Sequence, residues 1–264
     1  MFTSAKRSTE IRPAIPSGVR AQLWLVDNHE PSACDLCRLN TSCLPQGLNP
    51  LERSEFIAMV AQYRKLAAGE PLYHAGDPFT HLHFVKTGAF KTVVLLDDGR
   101  EQITGLRLPG DTLGIDAISY SVHASAAIAL DASRVCAIPF AQLSRLSRQS
   151  APVQNYLHRL LAREVVGDQE LILLLGRMQA EERVAAFLLN LSRRYEARGQ
   201  SRSEFTLAMA REDIGNYLGL TLETVSRCFT RLKNARLLSV DNRRLHILNH
   251  EGLRKVIGAH QKSQ

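Results

Sequence analysis

Cys34, Cys37 and Cys43, in the run C-D-L-C-R-L-N-T-S-C, place three of the chain's five cysteines within ten residues. Thiolates are soft ligands for zinc and for iron–sulfur clusters, and an activated thiol reacts with oxidants. Cysteines that serve only as small hydrophobes sit in apolar runs, as Cys136 does in S-R-V-C-A-I-P-F and Cys228 in L-E-T-V-S-R-C-F-T-R. The trio instead has Pro31, Asn40 and Pro45 around it and little apolar periodicity. Ligation explains such a group better than burial, and its spacing suits zinc, an iron–sulfur centre or a bare thiol switch. An odd number of cysteines without disulfide-style spacing agrees with reducing surroundings.

A second group of chemically apt residues lies near the other end, in R-E-D-I-G-N-Y-L-G-L-T-L-E-T-V-S-R-C-F-T-R-L-K-N. The pattern predicts a helix, a turn at Gly219, a second helix capped by Thr221, and then a small hairpin whose tip carries Arg243 and Arg244: a winged helix-turn-helix. Along the second helix Leu222, Val225, Phe229 and Leu232 form the expected inward stripe. Glu223, Ser226, Arg227 and Thr230 recur at i, i+3, i+4 and i+7 on the opposite face. That face suits a major groove: a guanidinium spans guanine O6 and N7, a carboxylate accepts from cytosine N4, and a hydroxyl reaches a base or phosphate.

Charge supports the same division. Residues 1–176 hold 17 basic and 17 acidic side chains, whereas 177–264 hold 16 and 9, so the whole net charge of +7 lies in the C-terminal third. A basic unit joined to a neutral one is what attraction to double-stranded DNA requires.

The elements that must position these groups follow from periodicity. Residues 1–50 read as an extended cysteine-bearing arm, with a short helix from Leu51 to Tyr63. Between Gly69 and Pro139 short apolar runs alternate with turns at Gly76, Gly88, Gly99 and Gly110, the pattern of an antiparallel roll. A long helix is predicted from Val153 to Leu175, where Leu161, Val165, Asp168, Ile172 and Leu175 step by four and three, the seam of a two-stranded coiled coil. Asp168 is either a solvated position or a carboxylate that weakens a homodimer. The resulting fold class is α+β: arm 1–50, β-roll sensor 51–150, dimerisation helix 151–176, winged helix-turn-helix 177–250 and tail 251–264.

With 264 residues, 45% hydrophobic and 22% charged, the composition is that of a globular protein. No apolar run approaches the ~20 residues of a membrane span and no export signal opens the chain, so the expected compartment is the cytoplasm and no membrane partner is expected. Paired carboxylates, a phosphate loop and an H-E-x-x-H element are all lacking, and enzymatic activity is not expected. His74, His81 and His83 read as strand and turn residues rather than ligands.

From Cys34 to Asn249 the chain resembles the FNR type of the CRP superfamily, oxygen-responsive bacterial transcription regulators. The resemblance rests on C-x2-C-x5-C followed by L-P-x-G-L, on V-C-x-I-P-F, on G-D-Q-E-L-I-L-L-L-G and on R-E-D-I-G-N-Y-L-G-L-T-L-E-T-V-S-R. It implies a cyclic-nucleotide-binding-like roll and one [4Fe–4S] cluster per subunit on Cys34, Cys37, Cys43 and Cys136, whose loss in oxygen dissolves the dimer. It further implies reading of a TTGAT-N4-ATCAA palindrome by Glu223, Ser226 and Arg227, and activation or repression together with RNA polymerase. Zinc on the same thiols, or thiol redox, is the alternative. The cyclic-nucleotide-binding relatives carry an Arg-Ser or Arg-Thr pair after G-D-x-x-G, but here no arginine lies between Arg107 and Arg134. No cyclic nucleotide is therefore expected.

Overall fold

The computed structural model describes residues 27–28, 34, 37–60 and 62–258. Its elements in chain order begin with β1 (Asp27–Asn28), α1 (Asn40–Cys43) and α2 (Pro50–Met59). The roll follows: β2 (Gln62–Leu66), β3 (Pro71–Tyr73), β4 (His81–Thr87), β5 (Phe90–Leu95), β6 (Glu101–Arg107), β7 (Thr112–Leu113), a short 3₁₀ turn at Ile115–Ala117, β8 (Ala126–Ala129) and β9 (Ser133–Pro139). Then come α3 (Phe140–Ser147), α4 (Ala151–Arg177), α5 (Ala180–Glu196), β10 (Glu204–Thr206), α6 (Arg211–Leu218), α7 (Leu222–Asn234), β11 (Leu238–Asp241), β12 (Arg244–Ile247) and α8 (His250–Gly258).

Two antiparallel sheets, ordered β1-β2-β9-β4-β7 and β3-β8-β5-β6, form the roll. Alternation puts Leu66, Val85, Leu113 and Val135 of the first sheet against Tyr73, Phe90, Ala127 and Ala129 of the second, all buried. β9 is central, pairing with β2 on one side and β4 on the other, with Cys136 opposite Tyr63 and Phe84.

Four expectations are corrected here. The helix expected from Leu51 to Tyr63 ends at Met59, and β2 takes up residues 62–66 by pairing with β9, a long-range partner that local periodicity does not reveal. Its N-terminus is a capping box in which Glu52 and Asn49 exchange hydrogen bonds of 2.9 Å. The arm is not wholly extended, since α1 and a Cys37 N–H to Cys34 carbonyl bond of 3.2 Å coil it at the thiols. α3 went unforeseen because Phe140–Ser147 is short. Residues 251–258, expected as a tail, continue α8, which packs against α5 and buries Leu253 completely.

α4 is 27 residues long, about 40 Å. Its base is rooted: Val153, Tyr156 and Leu160 are buried with Phe56, Leu143 and Ile138, each contributing roughly 1.5–3 kcal/mol by leaving water. Beyond Leu160 the helix buries no residue fully. None of the described helices is long and apolar enough to cross a membrane.

Candidate functional site

The fold brings the four predicted ligand cysteines together. Cys34, Cys37, Cys43 and Cys136 line one cavity of about 30 Å³, walled by Leu44, Phe56, Val60, Phe84, Val85 and Ile138. Cys136 comes from rigid sheet and the other three from the coiled arm. Burial pushes the Cys43 thiol up to about 12, and the nearby sulfurs of Cys136, Cys37 and Cys34 push the same way. Burial likewise raises Cys136 to about 12, while Lys86, also on the cavity wall, opposes it. Cys43 and Cys136 are thus held as neutral thiols, which a bound positive centre would ionise.

The donors suit a thiolate-bound metal in type, and Lys86 supplies one compensating charge. The room is small: such a cavity takes about one water molecule, and no three of the described His, Cys, Asp or Glu side chains converge closely enough to hold a metal ion. A polynuclear centre therefore needs the arm to stand further from Cys136 than it does here.

The base of α4 packs in the same apolar cluster as Cys34, Leu44 and Phe56 of the pocket. The Tyr156 hydroxyl donates to the Cys43 carbonyl at 2.8 Å, and its ring meets Phe56 edge-on at 6.1 Å. Sequence reasoning missed Tyr156, since nothing local distinguishes a hydroxyl aimed at a backbone carbonyl 113 residues away.

Along α4 the predicted seam is exposed at Leu161, Val165, Asp168 and Ile172, whereas Leu175 is half-buried. A Cβ placed on Gly219 would lie 3.6 Å from the Leu175 side chain, so the last seam residue touches its own chain's helix-turn-helix. Arg183 of α5 ties the same junction, donating to the carbonyls of Leu175, Met178 and Leu218 at 2.8–2.9 Å.

The C-terminal unit is a winged helix-turn-helix. α6 ends at Gly219, whose φ of +62° suits a left-handed helix stop, and Thr221 caps α7 by accepting from the Thr224 N–H. Val225, Cys228, Phe229 and Leu232 are buried, but Leu222, expected inward, is 51% exposed. Residue 222 opens the helix, before α7 meets the core, and Cys228 fills the fourth inward place.

Glu223, Ser226, Arg227 and Thr230 all face solvent. Arg227 and Glu223 form an exposed ion pair at 3.2 Å, and the Thr230 hydroxyl donates back to the Ser226 carbonyl at 3.0 Å. At the wing, Arg243 donates to the Ala208 carbonyl and Arg244 lies 3.8 Å from Glu204, both arginines remaining exposed. Arg211 at the start of α6 stands 3.3 Å over the Phe229 ring, which joins the two helices.

A third set of residues occupies the part of the roll that follows G-D-x-x-G. Asp116 accepts from the Ala124 N–H, the Ser125 N–H and the Ser125 hydroxyl at 2.9–3.1 Å, and Arg107 on β6 is paired with Glu164 of α4 through both guanidinium ends. His83 is buried, and burial holds it down to about 3, so it is a neutral packing residue.

Comparisons with known proteins agree with this architecture. Residues 63–150 match the cyclic nucleotide-binding domain family and residues 182–256 the Crp-like helix-turn-helix domain family. The fumarate and nitrate reduction regulatory protein of Vibrio cholerae is 41% identical over 88% of this chain and 92% of its own. The transcriptional activator protein Anr of Pseudomonas protegens is 42% identical over 84% and 91%. Among solved structures, FixK2 from Bradyrhizobium japonicum superposes with a TM-score of 0.69 at 34% identity, covering 74% of this chain and 96% of FixK2. A neutral roll, a rooted helix, a winged DNA reader and these relatives lead to one assignment: the chain belongs to the CRP/FNR superfamily of transcription regulators, and is homologous to the fumarate and nitrate reduction regulators, to Anr and to FixK2.

Proposed function

We propose that this regulator senses oxygen through one [4Fe–4S] cluster per subunit held by Cys34, Cys37, Cys43 and Cys136, which favours a homodimer bound to a TTGAT-N4-ATCAA-like palindrome when oxygen is low. The observation that carries the reading is the shared pocket of four thiols, which packs in one apolar cluster with the base of α4 and is tied to it by Tyr156. A cluster bound there supplies oxygen-labile iron–sulfide bonds. The chain's own residues convert its presence into shape.

Phe56, Phe84 and Leu44 exclude water from the thiols, and Tyr156 ties the arm's backbone to α4. A held arm braces the helix whose distal half exposes Leu161, Val165 and Ile172. Two copies joined along that stripe bring their Asp168 carboxylates together, and the cost of burying like charges keeps the dimer near its dissociation threshold. A dimer presents two α7 helices to two half-sites and binds them as a unit. Glu223, Ser226, Arg227 and Thr230 read base edges, Arg243 and Arg244 hold phosphates, and RNA polymerase is the partner through which bound dimers activate or repress.

Cyclic nucleotide is not a ligand in this reading. The backbone and hydroxyl donors at Ala124 and Ser125 are already taken by the Asp116 carboxylate, and no arginine lies between Arg107 and Arg134 to hold a phosphate.

Protein purified without oxygen should be brown, hold about four irons and four labile sulfides per chain and bleach in air. A second reading is a single zinc ion on the four thiolates, which needs less room than a cluster but equally needs the sulfurs to draw together. Stoichiometric zinc with no labile sulfide in the anaerobic protein would select zinc and reject the oxygen sensor.

A further inference from the structure

The turn Leu108–Asp111 lies between the cysteine arm and the DNA-binding unit and touches both. On the arm side, Gly110 has a φ of +90°, and a Cβ there would lie 3.4 Å from the Ser42 side chain and 3.8 Å from Leu39, so α1 rests directly on the turn. On the sheet side, the Gly110 N–H donates to the Val85 carbonyl at 2.8 Å and the Val85 N–H to the Asp111 carbonyl at 3.0 Å, next to the wall of the thiol pocket.

On the far side, the Asp111 carboxylate is divided between two arginines of the DNA-binding unit. Its Oδ2 accepts from Arg194 at 2.6 Å and its Oδ1 from Arg198 at 2.5 Å, while Arg194 also donates to the Leu106 carbonyl and Arg198 to the Pro109 carbonyl. These side chains are mostly shielded, at 15–25% exposure, where charge-assisted bonds keep their strength. The same boundary carries Lys91 to Asp213 at 2.7 Å and the Ile103 N–H to Asn216 Oδ1 at 2.5 Å. Ala89, Val93, Ile103, Leu106 and Leu108 of the roll share one apolar core with α5, α6 and α7.

We propose that Asp111 is a positioning residue that carries the state of the cysteine arm to the DNA-binding unit, by a route separate from dimerisation along α4. The inference rests on the arm's changing state, as proposed above. When α1 lies on Gly110 the turn is fixed, the Arg194–Asp111–Arg198 clamp holds α5 against the roll, and α7 is presented at a set angle. When α1 leaves, the turn loosens and the clamp with it. The recognition helix then loses orientation even in a chain that remains dimeric.

The Ile103 amide reports on docking, because it donates to Asn216 across the boundary. Hydrogen exchange there is compared, in full-length protein, for wild type, Ser42→Phe, which pushes on Gly110 without replacing a thiol, Asp111→Asn, Arg198→Gln and the Ser42→Phe/Asp111→Asn pair. Each single variant should speed Ile103 exchange roughly tenfold, the effect of one charge-assisted hydrogen bond. The pair should exchange no faster than Asp111→Asn alone. Asp111→Asn should also weaken palindrome binding severalfold at an unchanged dimerisation constant. Wild-type Ile103 exchange in Ser42→Phe, multiplicative effects in the pair, or unchanged palindrome affinity in Asp111→Asn would each overturn the proposal. None of these measurements depends on which metal the thiols hold, so failure of the clamp is distinct from failure of the oxygen-sensor reading, which iron and sulfide content decides.

Discussion

The thiol pocket and the recognition helix both depend on charge, but the fold treats charge oppositely in the two places. At the pocket, apolar walls keep Cys43 and Cys136 protonated, with both pushed up to about 12, so ionisation has to be induced by whatever binds. At α7 the charges of Glu223 and Arg227 stand permanently in water, paired with each other at 68–78% exposure. An exposed pair of that kind is worth little to stability. It would therefore give little resistance to the turn toward a guanine edge that the proposed reading asks of Arg227. A sensor is built to be off until occupied, and a reader to be always ready.

The largest break in this contrast comes from removing a sulfur. Serine at Cys34, Cys37, Cys43 or Cys136 should abolish metal binding and with it oxygen-dependent DNA binding, whereas Cys228→Ser should keep full metal content. Cys228 is buried in the core of the DNA-binding unit, at the far end of the chain from the thiol pocket. Metal analysis of the five anaerobic proteins checks this, and full loading in Cys136→Ser would send the search for a fourth ligand elsewhere.

At the reader the expected effect is smaller and sequence-specific. Arg227→Ala should cost about 1–3 kcal/mol per half-site on the palindrome and much less on random duplex. Losing Arg243 and Arg244 should weaken all sequences about equally and flatten the salt dependence, because phosphate contacts position without specifying. Titrations on palindrome and random DNA at two salt concentrations separate the roles, and a uniform loss for Arg227→Ala would make it a backbone clamp.

How far these regions were legible follows from the range of the contacts that make them. α7 and its outward face could be read from Thr221, Gly219 and a 3.6-residue period, because a helix is a local object. Only Leu222 was misassigned, since inward facing at a helix's first residue depends on what the neighbouring element covers. The start of β2, Gln62 and Tyr63, was read as the end of a helix because its partner is β9, some seventy residues on. The trio Cys34, Cys37 and Cys43 announced itself by spacing, while Cys136 came only through family resemblance. Asp111, Tyr156 and Arg183 were invisible, because each bonds to a group that only the folded chain brings near.

Between the two regions lies α4, and the proposed reading makes Asp168 its adjustable joint. Alanine there removes like-charge repulsion and desolvation from the seam, so the metal-free protein should shift toward dimer and bind DNA in air. Sedimentation of metal-free Asp168→Ala with the same monomer fraction as metal-free wild type would reject this role.

The smallest effect and the sharpest test of how the pocket reaches that helix is Tyr156→Phe. The substitution keeps the ring that packs against Phe56 and Phe84 and removes only the hydroxyl that donates to the Cys43 carbonyl. One such bond is worth about 0.5–1.5 kcal/mol. The carbonyl it leaves behind sits at the C-terminal end of α1, so the loss falls on the arm rather than on the roll. Thermal unfolding should therefore drop only slightly, while alkylation of Cys43 in the metal-free protein should quicken by roughly two- to tenfold. Cys136, on the sheet, should keep its rate. Equal acceleration at Cys136 and Cys43 would mean that the hydroxyl supports the whole pocket, and an unchanged Cys43 rate would mean that packing alone holds the arm to α4.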